Sequence, residues 1–194
     1  MIKNKTFYAK TFKKYGRTPQ GLSWSSSKTQ EIRFLVITEL LADEIKKSSI
    51  VDAGCGFGDL YGFWLERDLI PKSYIGIDSF EEFIKIAQKS FSKTAFLQRD
   101  ILKDELPLAH WYVASGSLNI LSSFETWLFL EKMLVHATKG IVFNFLCGVK
   151  QSETFNYKTK QEMESFFVEK GFTCKMIDGY LENDMSVMIK KDIA

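Results

Sequence analysis

Apolar positions along the chain follow two spacings. Phe80, Phe83, Ile84, Ala87 and Phe91 fall on the i, i+3, i+4, i+7, i+11 series of one buried helix face. Short apolar runs at 49–53, 73–78, 94–98, 111–115 and 140–147 suit strands buried on both faces of a sheet. Between them, capping-box pairs mark helix starts at Ser27 with Gln30, Ser79 with Glu82, Ser122 with Glu125 and Thr159 with Glu162. Further helices are expected from Asp59 and near Tyr8. Gly171 ends the last helix, and the runs 172–178 and 185–190 flank a short polar turn that reads as a hairpin. Strands separated by helices, then a hairpin, predict a doubly wound α/β domain. Its sheet is mainly parallel and seven-stranded, with a terminal antiparallel strand and helices on both faces.

Composition narrows the chemistry. At 194 residues, 45% of them hydrophobic, the chain is long enough for one domain with a sizeable core. His110 and His136 are the only histidines, and Cys55, Cys147 and Cys174 are too dispersed for a zinc cluster, so no metal site is expected. Free thiols and the lack of an apolar leader or spanning run point to a cytoplasmic protein without a membrane partner. The net charge of +2 hides an uneven distribution. Residues 1–20 hold Lys3, Lys5, Lys10, Lys13, Lys14 and Arg17 without an acid, interleaved with Phe7, Tyr8, Phe12 and Tyr15. This arm is either a patch for phosphates, RNA included, or an amphipathic cap whose aromatics pack on the domain, and the second reading is favoured.

In a doubly wound sheet the first βα turn is the usual ligand anchor. Here it reads VDAGCGFGDL, residues 51–60. Gly54, Gly56 and Gly58 let the backbone turn tightly and approach a ligand, and Asp59 is placed to cap the next helix. The sixth position counted from Gly54 is Asp59 rather than glycine, which argues against a dinucleotide and a nicotinamide-dependent oxidoreductase. Asp52, two residues before Gly54, suits a ligand with an ammonium group or donor hydroxyls better than a diphosphate. No Gly-Lys-Ser or Gly-Lys-Thr follows, so a P-loop is excluded as well.

VDAGCGFG followed by YIGIDSF resembles motifs I and II of the class I S-adenosylmethionine-dependent methyltransferases, which have a Rossmann-like fold. The resemblance implies that the turn with Asp52, Gly54, Cys55 and Gly56 cradles the methionine part of S-adenosylmethionine. It also implies that Asp78, with Ser79 beside it, binds the ribose. An acceptor-only carboxylate at a strand end can indeed take both ribose hydroxyls. LQRDIL resembles the segment that meets the adenine, giving Asp100 and Ile101 that role, and ASGSLNI places Ser115 beside the sulfonium. No Asn-Pro-Pro-Tyr or Asp-Pro-Pro-Tyr is present, so amino methylation of bases or glutamine side chains loses support.

By the same resemblance, residues 1–47 form a helical cap or substrate lid and 48–194 the core. Arg33 is a candidate for the cofactor's carboxylate, the alternative being an exposed arginine paired with Glu31 or another nearby acid. Trp24, Asn119, Tyr157, Glu182 and Asp184 are the acceptor-site candidates; Trp24 is alternatively a core anchor, the turn at 181–184 is alternatively a solvated hairpin turn, and Tyr157 and Asn156 in the loop after the fifth strand carry that same ambiguity. Neither histidine is given a role. No catalytic residue is assigned, since holding donor and acceptor at attack distance requires no obligatory base. The expected function is methyl transfer from S-adenosylmethionine, leaving S-adenosylhomocysteine, to a small molecule. The alternatives are a non-catalytic S-adenosylmethionine-binding protein and an RNA methyltransferase using the basic arm.

Overall fold

The computed structural model describes residues 2–191, with side chains from residue 6 onward. The strands are β1 (Ser49–Ala53), β2 (Ser73–Asp78), β3 (Ala95–Gln98), β4 (Ala109–Ala114), β5 (Ala137–Cys147), β6 (Tyr157–Lys158), β7 (Cys174–Asp178) and β8 (Asp184–Lys190). Seven of them form one sheet in the order β3-β2-β1-β4-β5-β8-β7. β8 runs antiparallel to both neighbours, and the pairs among β1 to β5 are parallel. The seven expected strands are all present. The sequence pattern missed β6, an eighth strand of two residues that pairs with β5 off the main path and is too short to show a period.

The helices are α1 (Ile2–Tyr15), α2 (Ser27–Leu41), α3 (Glu44–Lys47), α4 (Asp59–Leu65), α5 (Glu81–Ser90), α6 (Ser123–His136) and α7 (Lys160–Val168). Successive strand residues point to opposite faces, so each strand feeds two cores. Ile50, Trp111, Val113 and Val142 pack with Phe34, Ile37, Phe63 and Trp64 of α2 and α4. Val51, Tyr112, Ile141 and Phe143 pack with Leu130 and Met133 of α6 and Met163 and Phe167 of α7. Among the described residues no helix is long and apolar enough to cross a membrane.

Two of the four expected capping boxes form as read, at Ser122 with Glu125 and Thr159 with Glu162. The other two are corrected. α2 is capped by Ser26 with Thr29, because the threonine hydroxyl returns the bond, and this leaves Gln30 free to be buried. α5 begins at Glu81, and Ser79 does not cap it; Asp78 Oδ1 instead accepts from Phe80 N at 2.9 Å. Asp59 is likewise the first residue of α4 rather than its cap, a place taken by Gly58 in the left-handed region (φ 81°).

Phe7, Tyr8 and Phe12 of α1 face inward, and Tyr15 at its end is exposed. Phe12 makes edge contacts with Phe80 and Phe83 and a tilted one with Phe57, and Tyr8 meets Phe83. Lys10, Lys13 and Lys14 are exposed. This is the amphipathic cap; the side chains of Lys3 and Lys5 lie outside the described residues.

At the amino edge of the sheet, Glu44 Oε2 accepts from Lys139 Nζ (2.7 Å), Ser48 Oγ (3.1 Å) and Trp111 Nε1 (3.3 Å), tying α3 to β4 and β5. Chiefly through the lysine, these donors pull the Glu44 carboxyl down to about 2. Glu44→Ala is expected to cost about 1–2 kcal/mol of stability at neutral pH. Because the folded value lies below the unfolded one, the gap between parent and variant should persist above the ordinary glutamate range and close as pH falls toward 2. Chemical denaturation at several pH values would check this.

Candidate active site

The strand order reverses between β1 and β4, so the loops leaving their carboxyl ends diverge and open a crevice. The glycine turn forms one wall. Gly54 N and Cys55 N donate to Ile77 O at 2.7 and 3.0 Å, which pins the turn to β2. Gly54 has φ 83°, and a Cβ there would run into Ser117 of the loop after β4. Ser117 Oγ donates to Ala53 O at 2.8 Å, joining the two walls. Only glycine meets both demands at position 54.

Two adjoining cavities, of about 230 and 100 Å³, occupy the crevice. Tyr8, Gly54, Asp78, Ser117 and Ile120 line both, so they are two ends of one cleft. Asp52, Cys55, Gly56, Ser115, Trp24, Arg33, Asn119 and Tyr157 line the larger end, and Ser79, Asp100 and Ile101 the smaller. The expected cofactor residues therefore converge on one cleft from β1, β2, β3, β4 and α2.

Asp78 is the hub. Its Oδ2 accepts from Gly56 N (3.0 Å) while Oδ1 accepts from Phe80 N (2.9 Å), and the Ser79 N–H bonds the carboxylate as well, so one group holds the glycine turn and the start of α5. Burial pushes its carboxyl up to about 6 against these donors. Asp52 is 1% exposed, accepts from Tyr74 Oη at 2.7 Å, and is pushed up to about 7, mainly by burial. Asp59 accepts from Gln30 Nε2 at 3.0 Å and is also raised by burial. Among the described residues no lysine or arginine bonds to any of these three carboxylates.

The β4 loop is set from beneath. Asn144, 1% exposed on β5, accepts from Gly116 N at 2.8 Å and donates to Ser115 Oγ at 3.2 Å. Asn119 Oδ1 and Ser23 Oγ are buried without a protein partner among the described residues, and both residues line the larger cavity. Buried polar atoms are rarely left unpaired, so these two are available to a ligand.

Arg33 does not pair with Glu31. Its Nε donates to Asp184 Oδ2 at 2.6 Å, Nη2 contacts the same oxygen, and the Trp24 ring lies 4.8 Å from the guanidinium. Asp184 is thus buried beneath the mouth, whereas Glu182 is exposed, accepts from Asn183 Nδ2 and lines neither cavity. Asn156 lines neither cavity too; its Nδ2 donates to Thr126 Oγ1 at 2.8 Å. His110 lies within β4 rather than before it, its Nδ1 accepting from Ser49 N at 3.0 Å, and His136 ends α6. Burial drives the Cys55 thiol well above its ordinary range, consistent with a packing role. Sequence reasoning missed Tyr8 and Phe155 as lining residues, since neither stood in a motif, and read Gln30 as the partner of a helix cap.

No protein-family model matches the chain. A malonyl-[acyl-carrier protein] O-methyltransferase from Hamiltonella defensa subsp. Acyrthosiphon pisum is 30% identical over 105 residues, 54% of this chain, and the match spans only 37% of that relative's length. Among solved structures, magnesium protoporphyrin IX methyltransferase from Synechocystis PCC 6803 with bound S-adenosylmethionine superposes with a TM-score of 0.66 at 15% identity, over 85% of this chain and 80% of that one. An S-adenosylmethionine-dependent methyltransferase from Clostridium acetobutylicum ATCC 824 gives 0.65 at 12% identity, over 95% and 98%. The fold is that of the S-adenosylmethionine-dependent methyltransferases. Within this methyltransferase fold, the crevice between β1 and β4 is formed by the segments in which the glycine and acidic motifs were read.

Proposed function

We propose that the protein is an S-adenosylmethionine-dependent methyltransferase acting on a small-molecule acceptor. One observation carries the reading: Asp78 lies half-buried in the cleft at the end of β2, holds the glycine turn by one oxygen and the start of α5 by the other, and keeps acceptor capacity for a ribose hydroxyl. The donor set fits the cofactor. Three carboxylates, Asp52 buried and Asp59 and Asp78 partly so, without a bonded cation among the described residues, suit a ligand that brings a sulfonium, an ammonium and a diol.

When bound, S-adenosylmethionine supplies an electrophilic methyl group. The chain's own residues position and enclose. Asp78 holds the ribose, Asp100 and Ile101 flank the base in the smaller cavity, and Gly54 and Gly56 give close backbone approach. Asp52 and Asp59 offset positive charge. Ser115, Gly116 and Asn119 line the reacting end, where Asn144 fixes the loop, and Trp24, Phe155 and Tyr157 exclude water. α1 and the start of α2 act as the lid. A cleft that continues past Ser115 to Tyr157 supports turnover rather than mere cofactor storage. Commitment of the aromatic side of α1 to packing supports a small acceptor over RNA.

Calorimetry should give micromolar binding of both S-adenosylmethionine and S-adenosylhomocysteine, followed by methyl transfer from labelled donor in an acceptor screen. A folded protein that binds neither compound would overturn the proposal.

A further inference from the structure

Arg33 is the single cation among the described residues that line the larger cavity. Its guanidinium is held along one edge and over one face. Nε and Nη2 engage one oxygen of Asp184, Asp184 Oδ1 accepts from Tyr180 Oη at 2.6 Å, and the tyrosine oxygen lies 2.7 Å from Ser186 Oγ. The Trp24 ring covers one face. The Arg33 side chain is 11% exposed and that of Asp184 1%. A guanidinium has five N–H donors, and both bonds to Asp184 come from its Nε–Nη2 edge. Among the described residues Nη1 makes no bond, so that side of the fork remains available, oriented and partly desolvated.

Position assigns this group to the acceptor rather than the donor. Asp184 pairs in register with Leu146, and β8 stands three strands from β1, about 14 Å at the usual strand spacing. Asp52 and Asp78 leave β1 and β2, whereas Asp184 draws Arg33 to the β5–β8 side of the same cavity, beside Leu146 and Tyr157; Gln30, one turn earlier on α2, still reaches Asp59. The far side of the cleft thus holds a guanidinium whose charge Asp184 balances but whose Nη1 hydrogens are unbonded among the described residues, beside aromatic and apolar side chains.

We propose that the acceptor is a small, largely apolar or aromatic carboxylate, anchored by Arg33, with Asp184 and Tyr180 as positioning residues that hold the guanidinium. The inference rests on the methyltransferase reading, since it takes the β1–β2 end of the cleft as the donor site. A paired planar fork suits a carboxylate better than a lysine would, and a neutral amide gives up the charge-assisted part of the contact.

The test titrates benzoate, phenylacetate and their amides into the protein saturated with S-adenosylhomocysteine. At least one carboxylate should bind, about tenfold or more tighter than its amide, as expected for charge-assisted hydrogen bonds. Arg33→Gln should remove that preference while changing affinity for S-adenosylhomocysteine less than about twofold. Arg33→Lys, which keeps the charge and guards against a folding defect, should retain part of the preference, and Tyr180→Phe should weaken it without touching the donor. Loss of S-adenosylhomocysteine binding in both folded Arg33 variants would place the guanidinium on the donor and overturn the proposal. Equal binding of carboxylates and amides, or binding of neither, would also overturn it. If the parent binds no S-adenosylhomocysteine, the methyltransferase reading fails instead, and the same carboxylate–amide comparison on the protein alone decides whether Arg33 is an anion receptor.

Discussion

Asp78→Ala should lower the affinity for S-adenosylmethionine and S-adenosylhomocysteine together by about 10²- to 10³-fold, the scale of losing two hydrogen bonds to a charged group. The loss has two sources. The variant lacks the acceptor for the ribose hydroxyls, and it releases Gly56 N and Phe80 N, which then no longer hold the turn and α5 in register. Asp78→Asn should be nearly as weak, because an amide presents a donor to one of those two N–H groups. Thermal stability should suffer less than binding. The carboxylate is buried at an energetic cost, visible in its rise to about 6, and removing it relieves that cost while breaking the two bonds. Calorimetry paired with thermal melting separates the effects; affinity unchanged in Asp78→Ala would show that the ribose lies elsewhere.

The second large effect is a dependence on pH. Burial raises Asp52 to about 7 and Asp78 to about 6 in the folded, ligand-free protein, above the ordinary aspartate value of 3.8. Folding then takes up protons, so these groups contribute stability that is complete below about 4 and is lost as pH rises through 6 to 7. Asp52→Asn, which keeps an acceptor for Tyr74 Oη, should therefore gain on the parent across that window. The gain is on the order of 3–4 kcal/mol at pH 8, given a shift of about three pH units. Denaturation of both proteins at pH 5 and pH 8 measures it, and a pH-independent difference would refute it. Binding should show the reverse. Ionised carboxylates favour a cation, so affinity for S-adenosylmethionine should climb through pH 6 to 7, and more steeply than that for S-adenosylhomocysteine, which lacks the sulfonium.

The sequence was most legible where local pattern and burial agree. β1 and β2 have the predicted bounds because each is a short apolar run closed by a polar or glycine-rich turn. The boundary errors share a cause. Ser26, Ser27, Thr29 and Gln30 offer competing caps one residue apart, and the choice depends on Gln30 being drawn inward to Asp59, a contact 29 residues distant. Ser79 lost its expected role because α5 starts at Glu81 with Phe80 at the cap position, Phe80 N being bonded to Asp78 Oδ1. The glycine turn and its acidic partners could be read as a site since motif spacing carries them. Arg33 could not be assigned from sequence, for its partner Asp184 lies 151 residues away. Tyr8 entered the cleft from a segment that showed only charge and amphipathicity.

The position of β8 between β5 and β7 dictates how the molecule is assembled. β7 precedes β8 in the chain yet lies outside it, so a growing chain that has just made β7 has no native neighbour for that strand. The sheet cannot zip up in order of synthesis. β7 waits for β8, which joins β5 through the seven residue pairs from Gly140 with Lys190 to Leu146 with Asp184. Asp184 reaches Arg33 only in that step. The Arg33 side of the cleft thus forms only after β8 has joined β5, and a partly made chain that already holds the glycine turn and Asp78 still lacks the partner of its guanidinium.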